Sequence, residues 1–319
     1  MIRIVLTARF YKKHFRVLIH DSYILEYVWI DGYGNLRSKY RTAYPCFDSM
    51  GDAVCAEDWN YDDDGGGGAF SEEIVLVPVA HYANPFFEPG RAFLILSDTY
   101  CADGTPTETN FRCRALTAFN MGLDPDLPDL RLDPDLRLDP WFRIKQDCGV
   151  GTRTVKKLAE KHYEYCLQAG LRIGGINAEV ASNRWEFRIG PCRGLGAGDE
   201  LWVARYILHK LGEEFGVCIH FAEPESIWTL NTTFSTEETR EKIKGGLKRI
   251  YKYIDRLSKK NIHDYHDGSA FDLGVATTEI RIPTSVLKAG CGYLEDRRPP
   301  SDADPYRVIA AIFITACFG

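Results

Sequence analysis

The chain is 319 residues long, with 39 Lys+Arg against 45 Asp+Glu, a net charge of −6, 45% hydrophobic content and 13% aromatics. At ~100–200 residues per domain that length predicts two domains and a sizeable core, and the composition excludes a disordered or collagen-like chain. The mildly acidic balance argues against a nucleic-acid binder, which would carry a basic surplus.

The N-terminal Met-Ile-Arg-Ile-Val-Leu is interrupted by Arg3 and again by Arg9, leaving no signal-peptide apolar region. Ile24 to Ile30 is a β-branched and aromatic run that meets the turn cluster Asp31-Gly32-Tyr33-Gly34-Asn35 and then Leu36 to Arg41, which predicts a hairpin. Ile74 to Val79 and Ala92 to Leu96 read as two more short strands. Before them lies Asp62-Asp63-Asp64-Gly65-Gly66-Gly67-Gly68, a solvated flexible connection or else a mobile lid or metal-binding loop. From Leu123 to Pro140 the text repeats Leu-Asp-Pro. Its prolines forbid a continuous helix and deny sheet hydrogen bonds, so it reads as a low-complexity linker.

Beyond the linker, Thr152 to Ala169 has Val155, Leu158, Ala159, His162 and Cys166 on one helical face, with Thr152 as N-cap and Gly170 just past the end. A helix starting near Asp199 buries Leu201, Ala204, Leu208 and Leu211, leaving His209 partly exposed. Ser235-Thr236-Glu237-Glu238 carries a capping-box pattern. It is expected to open one helix with Ile243, Leu247, Ile250, Ile254 and Leu257 in a core stripe. His263 and His266 form a lone pair in a polar loop, short of the four ligands a structural zinc requires. The last apolar stretch, Val308 to Phe318, falls far short of the ~20 residues of a membrane span. The ten cysteines are scattered without a Cys-x-x-Cys, as in reduced, mostly buried thiols of a cytoplasmic protein.

The stretch Asn177-Ala-Glu-Val-Ala-Ser-Asn-Arg-Trp-Glu-Phe-Arg-Ile-Gly-Pro191 carries the chemistry. With Ser182-Asn183 as a two-residue turn, Glu179 would face Glu186, and like charges directly opposed across a hairpin repel. A shared proton or a hard divalent cation would relieve that repulsion; two glutamates splayed into water would avoid it. Near the C-terminus Glu295 and Arg297 are two apart and share a face in an extended segment, with Arg281 upstream. Arginines beside a carboxylate suit a site for a cation and an anionic substrate, since the guanidinium forks onto phosphate and carboxylate.

Asn177-Ala-Glu-Val, Trp185-Glu-Phe-Arg-Ile-Gly-Pro-Cys192, Gly198-Asp-Glu-Leu-Trp-Val-Ala-Arg205, Phe234-Ser-Thr236, Ile280-Arg-Ile-Pro283 and Gly292-Tyr-Leu-Glu-Asp-Arg-Arg-Pro299 together resemble glutamine synthetase of the eukaryotic type. Trp29-Ile-Asp-Gly32, Asp58-Trp-Asn-Tyr-Asp62, Leu76-Val-Pro78 and Glu108-Thr-Asn110 resemble the same family's β-grasp domain. The resemblance is collinear over most of the chain. It implies an α+β protein: a β-grasp-like domain over 1–105, a linker over 106–140, and over 141–319 an antiparallel catalytic sheet backed by helices. It also implies an ATP-dependent ligase in which glutamate is phosphorylated and ammonia displaces the phosphate, with Mg²⁺ or Mn²⁺ as cofactor. Active sites are expected between subunits of a homo-oligomeric ring, with no nucleic acid or membrane as partner.

By residue matching the resemblance implies Asp147, Glu179 and Glu186 as ligands of a first metal and Glu295 of a second. It places Arg297 on the substrate phosphate or carboxylate, Arg281, Ser235 and Tyr293 on ATP, and Trp228 at the substrate. Asp62 matches an aspartate that reaches a neighbouring subunit's site to help deprotonate ammonium.

The departures gather at the same place. After Pro140-Trp-Phe142 the family's Glu-x-Glu becomes Lys145-Gln-Asp147, so a lysine replaces a second-metal ligand and could stand in for that cation beside Glu295. The strands that normally follow Asp147 are omitted. The family's metal-binding histidine is lost, with Asn231 nearest its position, the family's substrate-closing loop is missing between Asp267 and Asp272, and Gly274 to Glu279 lacks an arginine the family uses. Single electrostatic donors are worth roughly 3–4 kcal/mol in a transition state. The expectation is therefore a divergent member with impaired ligase activity or, alternatively, a catalytically inactive homologue kept for assembly or binding.

Overall fold

The computed structural model describes residues 4–7, 22–44, 46–48, 51–63, 72–121, 141–150, 155–179, 184–221, 229–259 and 279–319. The Gly65–Gly68 loop, the Leu-Asp-Pro linker, Thr152, the Ser182-Asn183 turn, Trp228, and His263 with His266 lie outside them. The chain divides into two compact units: residues 1–113 with 164–171, and residues 114–163 with 172–319.

The first unit contains β1 (Ile4–Thr7), β2 (Tyr23–Ile30), β3 (Leu36–Ala43), β4 (Cys46–Asp48), β5 (Gly51–Ala56), β6 (Trp59–Asp63), β7 (Glu72–Ala83) and β8 (Ala92–Cys101). β1, β5 and β4 form a three-stranded sheet, and β3-β2-β8-β7-β6 a five-stranded one. The latter is mixed, because β2 runs parallel to β8 while every other pair is antiparallel. The expected β2–β3 hairpin forms with Ile30 opposite Leu36. Asp31 closes it: Oδ1 accepts from the Tyr33 and Asn35 amides at 2.9 and 2.8 Å, and Oδ2 from Arg37 Nε at 2.7 Å. Gly34 takes the left-handed φ of 81° that this turn requires. β7 and β8 run well past the apolar cores that announced them, since the ladder continues through Thr99 and Leu76 regardless of residue polarity.

A helix, α1 (Phe111–Met121), precedes the second sheet, which is built from β9 (Trp141–Val150), β10 (Ile173–Glu179), β11 (Arg184–Arg193), β12 (Ile219–His220), β13 (Leu230–Ser235), β14 (Ile280–Arg281) and β15 (Leu294–Asp296). Its order is β10-β11-β9-β13-β15-β14, with β12 also pairing with β9, and every pair is antiparallel. The helices are α2 (Val155–Ala169), α3 (Gly196–Phe215), α4 (Glu237–Arg240), α5 (Gly246–Ser258), α6 (Thr284–Ala289) and α7 (Pro305–Phe318). This is the antiparallel sheet with helices that the sequence predicts for the second half.

Alternation along the strands sorts this sheet into two faces. Trp185, Phe187 and Ile189 of β11, Leu230 and Phe234 of β13 and Leu294 of β15 are buried on one of them. His162 of α2 packs there, its ring 5.5 Å from Trp185 and 4.8 Å from Phe187, and its Nε2–H donates to the Ala204 carbonyl at 2.9 Å. Burial pushes the imidazole down to about 4. The unfolded chain protonates this side chain near 6.5, so stability is complete above that pH and falls as pH drops from 6.5 toward 4, by roughly 3 kcal/mol in all. Urea titrations across that range should show the loss in the native chain, and His162→Phe should flatten this part of the profile.

α3 holds the Gly198-Asp-Glu-Leu-Trp-Val-Ala-Arg205 motif, and its residues are spent on tertiary contacts. A Cβ at Gly198 would come within 2.5 Å of the Tyr306 ring, while Tyr306 Oη donates to Asp199 at 2.8 Å. Arg205, 1% exposed, donates to the Ser301 and Ala303 carbonyls. α7 starts at the Asp304 N-cap, whose side chain accepts from the Tyr306 and Arg307 amides, with Pro305 in the first turn. Among the described residues no helix is long and apolar enough to cross a membrane.

Two local expectations are corrected. The helix expected after Ser235 is two: α4 ends within one turn and α5 begins only at Gly246. Gly245 adopts φ 73°, and a Cβ on Gly246 would lie 2.5 Å from the Thr239 carbonyl oxygen. Adjacent glycines thus break the helix and let two backbones touch. Ile243 falls in the break and is fully exposed, so it is not part of the core stripe, whereas Ile250 and Leu257 are. The cap is also one residue later than the Ser-x-x-Glu spacing suggests: Thr236 and Thr239 cap each other reciprocally.

Candidate functional site

The face of the second sheet opposite the Trp185–Phe187 core is lined by polar register positions. Along β11 the sequence Arg184-Trp-Glu-Phe-Arg-Ile alternates charged and apolar, which sends Arg184, Glu186 and Arg188 to one face. Across β10 the register is Glu179 opposite Arg184 and Asn177 opposite Glu186. This corrects the expected confrontation of Glu179 with Glu186. The hairpin forms, but four residues rather than two separate its strands, and the pairing is offset by two positions.

An even offset keeps every residue on its face, so Glu179 and Glu186 remain diagonal neighbours, and an opposite charge now lies directly across from Glu179. The acid that gains a carboxylate as its direct partner is Glu186, which pairs with Asp147 across β9. Three adjacent strands therefore bring Glu179, Glu186 and Asp147 to one corner of one face. Glu186 is largely enclosed, its side chain 13% exposed, and it accepts from Arg188 at 3.3 Å. Among the described side chains no three of His, Cys, Asp and Glu form a ready metal cage; Asp147 and Glu179 are placed by their backbone register.

The same face continues across β9 and β13. Lys145 lies between Arg188 on β11 and Asn231 on β13, and Arg143 lies opposite Thr233. β15 then places Glu295 opposite both Thr233 and Arg281. The Glu295 side chain is 11% exposed; Oε2 accepts from Arg281 Nε at 2.5 Å and Oε1 stands 4.0 Å from Arg297 Nε. Ser235 ends β13 with its Oγ accepting from Arg240 at 3.1 Å, and Tyr293, half-buried, immediately precedes β15. In the first unit Asp62 sits in β6 opposite Glu73 of β7.

Sequence reading passed over Asn177, Arg184, Arg188, Arg143 and Thr233, which share the face with the acids. The period-two alternation in Arg184–Arg188 carries that signal; the partners across β9 and β13 carry none, because register between distant strands is not written in either strand alone. It also passed over the pair behind Glu295. Arg298 donates from Nε and a terminal nitrogen to the two oxygens of Asp296 at 2.9 and 2.7 Å, and to the Leu257 carbonyl at 3.0 Å. Asp296 alternates with Glu295 onto the core side and is fully buried.

Several groups with displaced protonation lie on that helix side as well. Besides His162, burial lowers Arg205 to about 10, and burial raises Glu200 against the opposing pull of Arg172. Each of these three makes a hydrogen bond to backbone, Glu200 accepting from the Arg172 amide at 2.6 Å. Those contacts mark structural polar groups rather than a reaction centre.

No family model matches the chain. Individual relatives do. The chain is 39% identical to the glutamine synthetase of Saccharomyces cerevisiae, over 92% of this chain and 89% of that protein. It is 38% identical to the glutamine synthetase of Neurospora crassa, over 97% and 95%, and 35% identical to that of Candida glabrata, over 96% and 92%.

Proposed function

Because the chain belongs to the glutamine synthetase family, we propose that it ligates ammonia to glutamate at the expense of ATP, through a γ-glutamyl phosphate, at a rate reduced by its altered active site. The observation that carries this reading is the polar sheet face, with three acids at one corner and Arg281, Glu295 and Arg297 at the other. The donors at the first corner are hard carboxylate oxygens, and Glu186 is held in place by its own strand and by Arg188. They fit Mg²⁺ or Mn²⁺. A bound divalent cation supplies charge neutralisation at the transferring phosphoryl oxygens.

The remaining work falls to side chains. Arg281 is half exposed, and Arg297 is next to it across Glu295. In this reading they fork onto phosphate and carboxylate oxygens of nucleotide and substrate and stabilise charge that moves between them. Ser235 and Tyr293 border the nucleotide and Trp228 the glutamate. Asp62 accepts a proton from ammonium at the site of a neighbouring subunit. That last role requires a ring assembly with sites between subunits, a β-grasp-like domain over 1–105, and the 106–140 linker joining it to 141–319. The reading places the protein in the cytoplasm.

An inactive homologue is the second reading. It is favoured by Lys145, whose register neighbours are Arg188 and Asn231 rather than an acid. Purified chain supplied with glutamate, hydroxylamine, ATP and Mg²⁺ or Mn²⁺ separates the two. Metal-dependent γ-glutamyl hydroxamate is the expected product, and its absence beside an active family member run in parallel would leave the inactive reading.

A further inference from the structure

Glu295 is the carboxylate whose surroundings least suit a cation. It is hydrogen-bonded by Arg281 at 2.5 Å through one oxygen and faces Arg297 at 4.0 Å through the other, so each oxygen already has a guanidinium as neighbour. The flanking register positions on the same face are Thr233 and, across β13, Arg143, with Lys145 opposite Asn231 one step along. A further acid, Glu279, is tied to this edge of the sheet through its carbonyl, which accepts from the Arg297 amide. Two guanidinium groups, Arg281 and Arg297, therefore flank the one carboxylate, and the next register positions along this face are Arg143 and Lys145. A divalent cation at Glu295 would have to displace Arg281 and then sit beside the positive charge of Arg297.

The other corner has the opposite balance. Glu179, Glu186 and Asp147 hold neighbouring register positions there, alongside Arg184 and Arg188. We propose that Glu295 is the counter-ion of Arg281 and Arg297 rather than a cation ligand, so that the chain holds one divalent cation, at the Glu179–Glu186–Asp147 corner. The positive charge at the opposite end is then supplied permanently by arginine. This deepens the function proposed above and rests on it for the first cation. The ion pair does for Glu295 what a metal would otherwise do: it neutralises the carboxylate, and it leaves a surplus of guanidinium charge for an anionic ligand.

Electron paramagnetic resonance titration of the full chain with Mn²⁺ into the millimolar range, without nucleotide, tests this. One bound Mn²⁺ per chain is expected. Glu186→Gln should remove it, and Glu295→Gln should leave its number unchanged and its dissociation constant within about twofold, as for a residue that donates no oxygen to the ion. Two Mn²⁺ per chain, one of them lost in Glu295→Gln, overturns the inference while leaving the proposed function standing. No Mn²⁺ at all overturns both. The native stoichiometry alone decides between one and two, so the test survives a variant that fails to fold.

Discussion

Glu186→Gln is expected to lower metal-dependent γ-glutamyl hydroxamate formation by about a hundredfold or more, the range seen when one preorganised electrostatic group is removed from a reaction centre. Gln keeps the shape and the acceptor for Arg188 at 3.3 Å but removes the charge that Asp147, directly across β9, would share with a cation. The structural cost should be small. Arg188 is 54% exposed, so the lost ion pair is screened by water. Steady-state assays at increasing Mn²⁺ should recover part of the loss if the defect is cation affinity. A thermal melt that coincides with the native one would show that the fold is intact. Unchanged turnover in the folded variant would remove Glu186 from the chemistry.

Asp296→Ala should have the largest effect on stability, about 3–5 kcal/mol, because it leaves the Arg298 guanidinium buried without its carboxylate. The side chains are 0% and 4% exposed, and the contact is bidentate. Urea denaturation would register this as a lower midpoint at nearly unchanged slope. Replacing both partners by apolar residues, Asp296→Leu with Arg298→Met, should recover much of the loss, since no uncompensated charge remains. The Leu257 carbonyl, which accepts from Arg298, keeps the recovery from being complete. The pair matters to the site through geometry: Asp296 anchors the core side of the strand whose preceding residue, Glu295, meets Arg281.

Much of the architecture could be read in advance from local signals. The β2–β3 hairpin rested on an Asp-Gly-Tyr-Gly-Asn turn, α2 on its apolar stripe and Gly170, and α3 on the spacing of Leu201, Ala204, Leu208 and Leu211. These succeed because the signal and the structure span the same few residues. The α4–α5 region shows the limit. A continuous stripe from Ile243 to Leu257 fits one helix, but Gly245 and Gly246 end it, and part of the crowding that requires a glycine comes from Cys291, distant in the chain.

By itself the sequence determined the family, the antiparallel second sheet, and which residue types gather near the chemistry: acids at 179 and 186, arginines at 281 and 297, a lysine at 145. Only the tertiary structure decided who faces whom. Glu186 meets Asp147 and Asn177 rather than Glu179, Glu179 meets Arg184, and Glu295 is enclosed by arginines. Side-chain alternation is a property of a single strand and is written in its residues. Register is a property of two strands, and a step of two residues leaves the buried face of Trp185, Phe187 and Phe234 intact while exchanging every charged neighbour above it.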